Sequence, residues 1–207
     1  MDIKRSFGKL AWLLFLSLFL SQSLAAKEIT LEEIPWPTER ECEPCVTIQF
    51  MTMEMRLPLN LIGKLHVINS GTNLHILPPS YPSQNSVLFL AIPPEKLLTL
   101  FESNGLLDGL NINTNEEFFD ALGARPSENE SLAALRQIKD LDIASQYTKT
   151  SKDSVHAYRI QSVQPNNDTI YFVIDDEEIV YMIAGEITEE LYEAVLSNLH
   201  IKPWSSY

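Results

Sequence analysis

Glycine is scarce, with seven in 207 residues, and none falls in a pattern that could cradle a phosphate, so the common nucleotide-binding loops are excluded. There is no His-Glu-x-x-His helix for a zinc protease and no Gly-x-Ser-x-Gly elbow for a hydrolase nucleophile. The one Ser-x-x-Lys run, Ser6 to Lys9, lies in the basic leader at the start of the sequence. Cations are few as well: 15 Lys and Arg stand against 28 Asp and Glu, a net charge of −13. A surface of that sign repels phosphate backbones and anionic headgroups, which argues against nucleic acid and against peripheral membrane binding. Past Leu20 no apolar run is long enough to cross a bilayer as a helix, so no stable membrane insertion is expected once the leader is removed.

What is present begins with Lys4, Arg5 and Lys9, followed by an apolar stretch from Leu10 to Leu20 and the small residues Ser23-Leu24-Ala25-Ala26. A basic start, a short apolar core and a small-residue end form the pattern of a cleaved signal peptide, here residues 1–25. The stretch is about half of the ~20 residues a spanning helix needs, which favours cleavage over anchoring. The expectation is therefore an extracytoplasmic protein, periplasmic in a bacterium or secreted. Removing three cations and one anion with the leader takes the net charge from −13 to −15.

Only two cysteines occur, Cys42 and Cys45, and in an oxidising compartment such a close pair is most simply a disulfide closing a tight loop. They end a glutamate- and proline-rich segment, residues 26–45, that reads as an extended acidic lead-in. Residues 46–207 then read as a single α+β domain. From Val46 to Met55 the residues alternate with period two, and the apolar Phe50-Met51 pair shifts the phase as a bulge would. Leu61–Asn69, Asn73–Leu77 and Val87–Ile92 continue as strands, with Ser70-Gly71-Thr72 as a hairpin turn, and Leu77 to Asn85 reads as a loop.

Pro93-Pro94 opens a helix through Phe101, Asn115–Leu122 forms a second, and Ser127 with Glu130 makes a capping box for a third with an apolar face of Leu132, Leu135, Ile138 and Leu141. Strands return at Val155–Val163, Thr169–Ile174 and Glu178–Ile183, and Thr188 caps a last helix. The expected fold is an antiparallel sheet, or two small sheets from the two strand-rich halves, with helices mainly on one face.

Cys42-Glu43-Pro44-Cys45 resembles the active-site motif of the thioredoxin superfamily, and Thr169–Leu199 resembles that family's closing hairpin and helix. The resemblance implies a degenerate thioredoxin-like α/β fold as the alternative architecture and thiol–disulfide exchange by Cys42 and Cys45 as the alternative function. Against it, the residues after Cys45 alternate as a strand instead of opening the helix whose dipole activates the thiol. A third reading takes Met51, Met53 and Met55 as thioethers on one strand face that would handle Cu(I), in a repeat similar to those of extracytoplasmic copper carriers. The plainer reading packs those methionines into the core.

His66, His75, His156 and His200 show no metal-ligand spacing, and Asp175-Asp176-Glu177-Glu178 reads as a solvated hairpin turn more readily than as a Ca²⁺ loop. Sequons stand at Asn129 and Asn167. No catalytic residue and no cofactor are expected. The functional expectation is an exported, non-catalytic binding domain whose acidic loops recognise another exported protein.

Overall fold

The computed structural model describes residues 29–68, 72–79, 86–124 and 129–202, so the expected signal peptide and Ser127 lie outside the described residues. The strands are β1 (Leu31–Glu33), β2 (Cys45–Phe50), β3 (Met53–Pro58), β4 (Lys64–Ile68), β5 (Asn73–Leu77) and β6 (Val87–Ile92) in the first half. They continue as β7 (Ala144–Lys152), β8 (Val155–Ser162), β9 (Asp168–Ile174), β10 (Val180–Gly185) and β11 (Leu199–Ile201). The helices are α1 (Leu98–Ser103), α2 (Asn115–Gly123), α3 (Glu130–Ile138) and α4 (Glu189–Ser197).

Eight strands form one sheet in the order β1-β7-β8-β9-β10-β6-β5-β4, and β11-β3-β2 form a second. All neighbours are antiparallel except β1 and β7. The α+β class holds, with an added feature: both sheets mix the two halves of the chain, because β6 pairs with β10 and β3 with β11.

The large sheet is covered on both faces at its centre, which is why its central strand β9 reads Ile-Tyr-Phe-Val-Ile without polar alternation. Its Tyr171 and Val173 join Phe118, Phe119, Leu122 and Leu135 of α2 and α3 in one core. Ile170, Phe172 and Ile174 join the small sheet and α4 in the other. Three helices thus sit on one face and α4 on the opposite one. Burial of one large apolar side chain stabilises by about 1.5–3 kcal/mol, so two such cores outweigh local propensities at the strand ends.

Several local features differ from the sequence expectation. The phase shift at Phe50-Met51 is a two-residue hairpin turn, not a bulge: Phe50 pairs with Met53, and Met51 has φ 54°. The lead-in does take part in the fold. Leu31–Glu33 pair in parallel with Tyr147–Lys149, and Ile29 is held by Arg136, whose Nη2 donates to its carbonyl at 2.7 Å while Nη1 donates to the Leu122 carbonyl.

The cap of α3 is Asn129, which accepts from the Leu132 amide at 3.1 Å, and Ile138 is exposed instead of facing the core. Strands β7 and β11 were not expected. The fold also departs from the thioredoxin alternative, since Cys45 begins β2 and the residues after it continue as strand, so the cysteine pair does not open a helix.

Candidate functional site

A cleft of about 850 Å³ opens between α1, the start of α2 and the turn after β9. Two other cavities, at Leu61–Leu191 and Trp36–His200, are near 240 and 230 Å³. The large cleft has an apolar floor of Pro94, Leu98 and Val173 and a rim of Glu102, Glu116, Asp175, Asp176, Glu177 and Glu178. Among its lining residues there is no Lys or Arg.

Each wall is fixed locally. Thr114 caps α2 in a reciprocal box: its Oγ1 accepts from the Glu117 amide at 3.1 Å, and Glu117 Oε2 accepts from the Thr114 and Asn113 amides at 3.2 and 2.7 Å. Asn115 Nδ2 then donates to the Glu178 carbonyl at 3.3 Å, which ties α2 to the opposite wall. That wall is a tight turn in which Asp176 has φ 62° and the Glu177 amide donates to the Ile174 carbonyl at 3.1 Å. Glu177 is drawn inward: its carboxylate accepts from Tyr181 and Thr52 at 3.1 and 3.3 Å, and burial raises the Tyr181 phenol to about 12. Glu102, Asp175, Asp176 and Glu178 are exposed.

At the cleft's inner end a polar network joins α2 to the sheet. His156 lies directly opposite Ser151 on β7. Ser151 Oγ is 2.9 Å from His156 Nδ1, and Asp175 Oδ1 is 3.1 Å from Nε2. Glu116 Oε1 approaches the same Nδ1 at 3.6 Å, and Lys149 Nζ bonds Glu116 at 3.0 Å and Asp120 at 2.9 Å. Burial lowers the Lys149 pKa, but the hydrogen bonds and charges of Asp120 and Glu116 outweigh it, so the net shift is upward. Tyr158 donates to Asp120 at 2.8 Å, and burial followed by that bond pushes its phenol well above the usual range.

Hydroxyl, imidazole and carboxylate in a row are the groups of a nucleophile, base and orienter. Here Ser151 on β7, His156 on β8, Asp175 at the end of β9 and Glu116 on α2 come together, so the set also links three strands to a helix. Glu116, His156 and Asp175 also bring one ligand atom each within 4.8 Å of one another, near enough to hold a cation. Lys149 already supplies positive charge to this set through the same Glu116 oxygen.

The sites expected from sequence are placed as follows. Cys42 and Cys45 form a disulfide across a Cα separation of 5.6 Å, with Cys42 buried, and it lies outside the residues that line the cleft. Met53 and Met55 are 0% exposed in the core of the small sheet, and Met51, in the turn, packs half-buried against the same core, as the plainer reading has it. His66 and His75 pair across β4 and β5 with ring centroids 6.3 Å apart, and His200 is on β11. The Asp175–Glu178 run is the turn expected, now seen as one wall of the cleft.

Asn129 caps α3, and Asn167 lies exposed between β8 and β9. The residues that sequence reasoning missed are Glu116, Asp120, Lys149 and Ser151. They come from a helix and a strand 33 residues apart in the Lys149–Glu116 pair, and no local pattern links them.

Compared with known proteins, the chain matches no protein-family model, and no curated protein matches it.

Proposed function

We propose that the protein is an exported, non-catalytic binding domain that takes up a basic segment of another exported protein in the cleft between α1, α2 and the β9–β10 turn. The observation that carries this reading is the cleft's construction: about 850 Å³, an apolar floor, and carboxylates around the rim with no cationic side chain among the lining residues. An extended peptide needs a trough with apolar contact and backbone partners, and Lys or Arg side chains crossing it would meet Glu102 on one side and Glu178 on the other. The net charge of −13 adds long-range attraction for such a partner. The Cys42–Cys45 disulfide is consistent with an oxidising compartment.

The test is calorimetric titration with a Lys/Arg-rich peptide and its Asp/Glu-rich counterpart. The basic peptide is expected to bind, with an affinity that falls as salt rises. The double reversal Glu102→Lys with Glu178→Lys, both on exposed side chains, should weaken it by roughly tenfold or more. Equal binding of both peptides, or no response to the double reversal, removes the reading.

A further inference from the structure

The two edges of the large sheet are treated differently. At one edge β1 is three residues long, carries the exposed carboxylates Glu32 and Glu33, and runs into Pro35, devices that discourage another strand from pairing. At the other edge β4 is five residues long and exposed throughout. It carries Leu65 at 41%, Val67 at 70% and Ile68 at 43% exposure, three of the large apolar side chains that stand in solvent.

The backbone of β4 is also open. The Ala91 amide donates to the Thr72 carbonyl, which continues the β5–β6 register and sets its alternation. Leu74 and Ile76 therefore turn their backbone groups toward β6, and Asn73, His75 and Leu77 turn theirs toward β4. On β4 their partners are Ile68, His66 and Lys64. The N–H and C=O groups of Leu65 and Val67 are left pointing outward, with no hydrogen-bond partner among the described residues.

Charge decides what can approach this edge. The chain has 28 acidic residues, yet from Met55 to Pro94 there is not one, so all of β4, β5 and β6 is free of carboxylates. Two copies of a chain with net charge −13 repel each other, and β4, with Lys64 and no carboxylate, adds nothing to that repulsion.

We infer that the chain forms a two-fold dimer in which β4 pairs antiparallel with β4 of a second copy, joining the two large sheets. Centred on His66, that pairing sets Leu65 opposite Val67 of the second copy, and the reverse. The outward-pointing backbone groups of both residues meet their complements. The side chains of Leu65 and Val67 stand on the face of their cross-strand neighbours Ile76 and Leu74, so the pairing extends an existing core face. His66 meets His66 of the second copy at the non-hydrogen-bonded central position. The acidic clefts, built from α1, α2 and the β9–β10 turn, take no part.

Sedimentation equilibrium of the intact protein at about 100 µM is expected to return the dimer mass, and Val67→Lys the monomer mass with an unchanged circular dichroism spectrum. Because non-hydrogen-bonded antiparallel neighbours place Cα atoms about 4.5 Å apart, His66→Cys should cross-link into a covalent dimer on mild oxidation. A monomer at that concentration, a dimer that survives Val67→Lys, or failure of the cysteine variant to cross-link would each overturn the inference. None of these outcomes depends on the cleft's ligand.

Discussion

Lys139 closes α3 with its ammonium 5.5, 6.0 and 5.0 Å from the ring centroids of Phe101, Phe118 and Tyr171. Burial lowers its pKa from 10.5 to about 8, with Asp140 opposing. Because the folded value is depressed, the unfolded chain binds more protons between pH 8 and 10.5, and this group makes stability rise with pH through that window. Below pH 8 both states are charged, and the cost of burying the ammonium is constant. The variant Lys139→Met should therefore lose ground to the wild type between pH 7 and pH 10, by on the order of 1 kcal/mol in paired urea denaturations. A difference that stays flat with pH contradicts the shift.

Legibility at this scale depends on how local the cause is. The Cys42–Cys45 disulfide needs only two neighbours in sequence and was readable. The fate of Met51 was not, because a positive φ at a methionine is imposed by the hairpin register and has no glycine to announce it.

Among the elements, α2 does most to shape the cleft, since Glu116 and Asn115 on its first turn contact β7 and the β9–β10 turn. Its reciprocal Thr114–Glu117 cap holds that turn in place. Thr114→Ala should destabilise the fold by about 1 kcal/mol, read as a lower urea midpoint with the slope unchanged. No loss of stability would show that the cap is idle.

Helices with apolar faces and strands with alternating or fully apolar patterns were legible, as α4 and β9 show. Strand β7 was not, because its sequence Ala-Ser-Gln-Tyr-Thr-Lys-Thr-Ser-Lys is polar on both faces. It is a strand because Tyr147 fills the helical core while Lys149 is neutralised by Glu116 and Asp120, partners that the strand's own sequence cannot reveal.

Over the whole molecule, the α+β class follows from the order of patterned segments, whereas the division into sheets follows from long-range pairing. The two strand-rich halves do not each close into a sheet: β6 and β10 join them into one, and β11 returns to β3. The acidic composition is also patterned in space, with an acid-free sheet end at β4 and a carboxylate-rimmed cleft beside α2. Composition carries the negative sign, and only the fold gathers part of it around one cleft.

That place can be mapped directly by recording amide chemical shifts during titration with the Lys/Arg-rich peptide. The shifts are expected to concentrate on the segments 98–102, 113–116 and 173–178 that border the cleft. Shifts spread evenly over the acidic surface, or centred away from those segments, would contradict binding there.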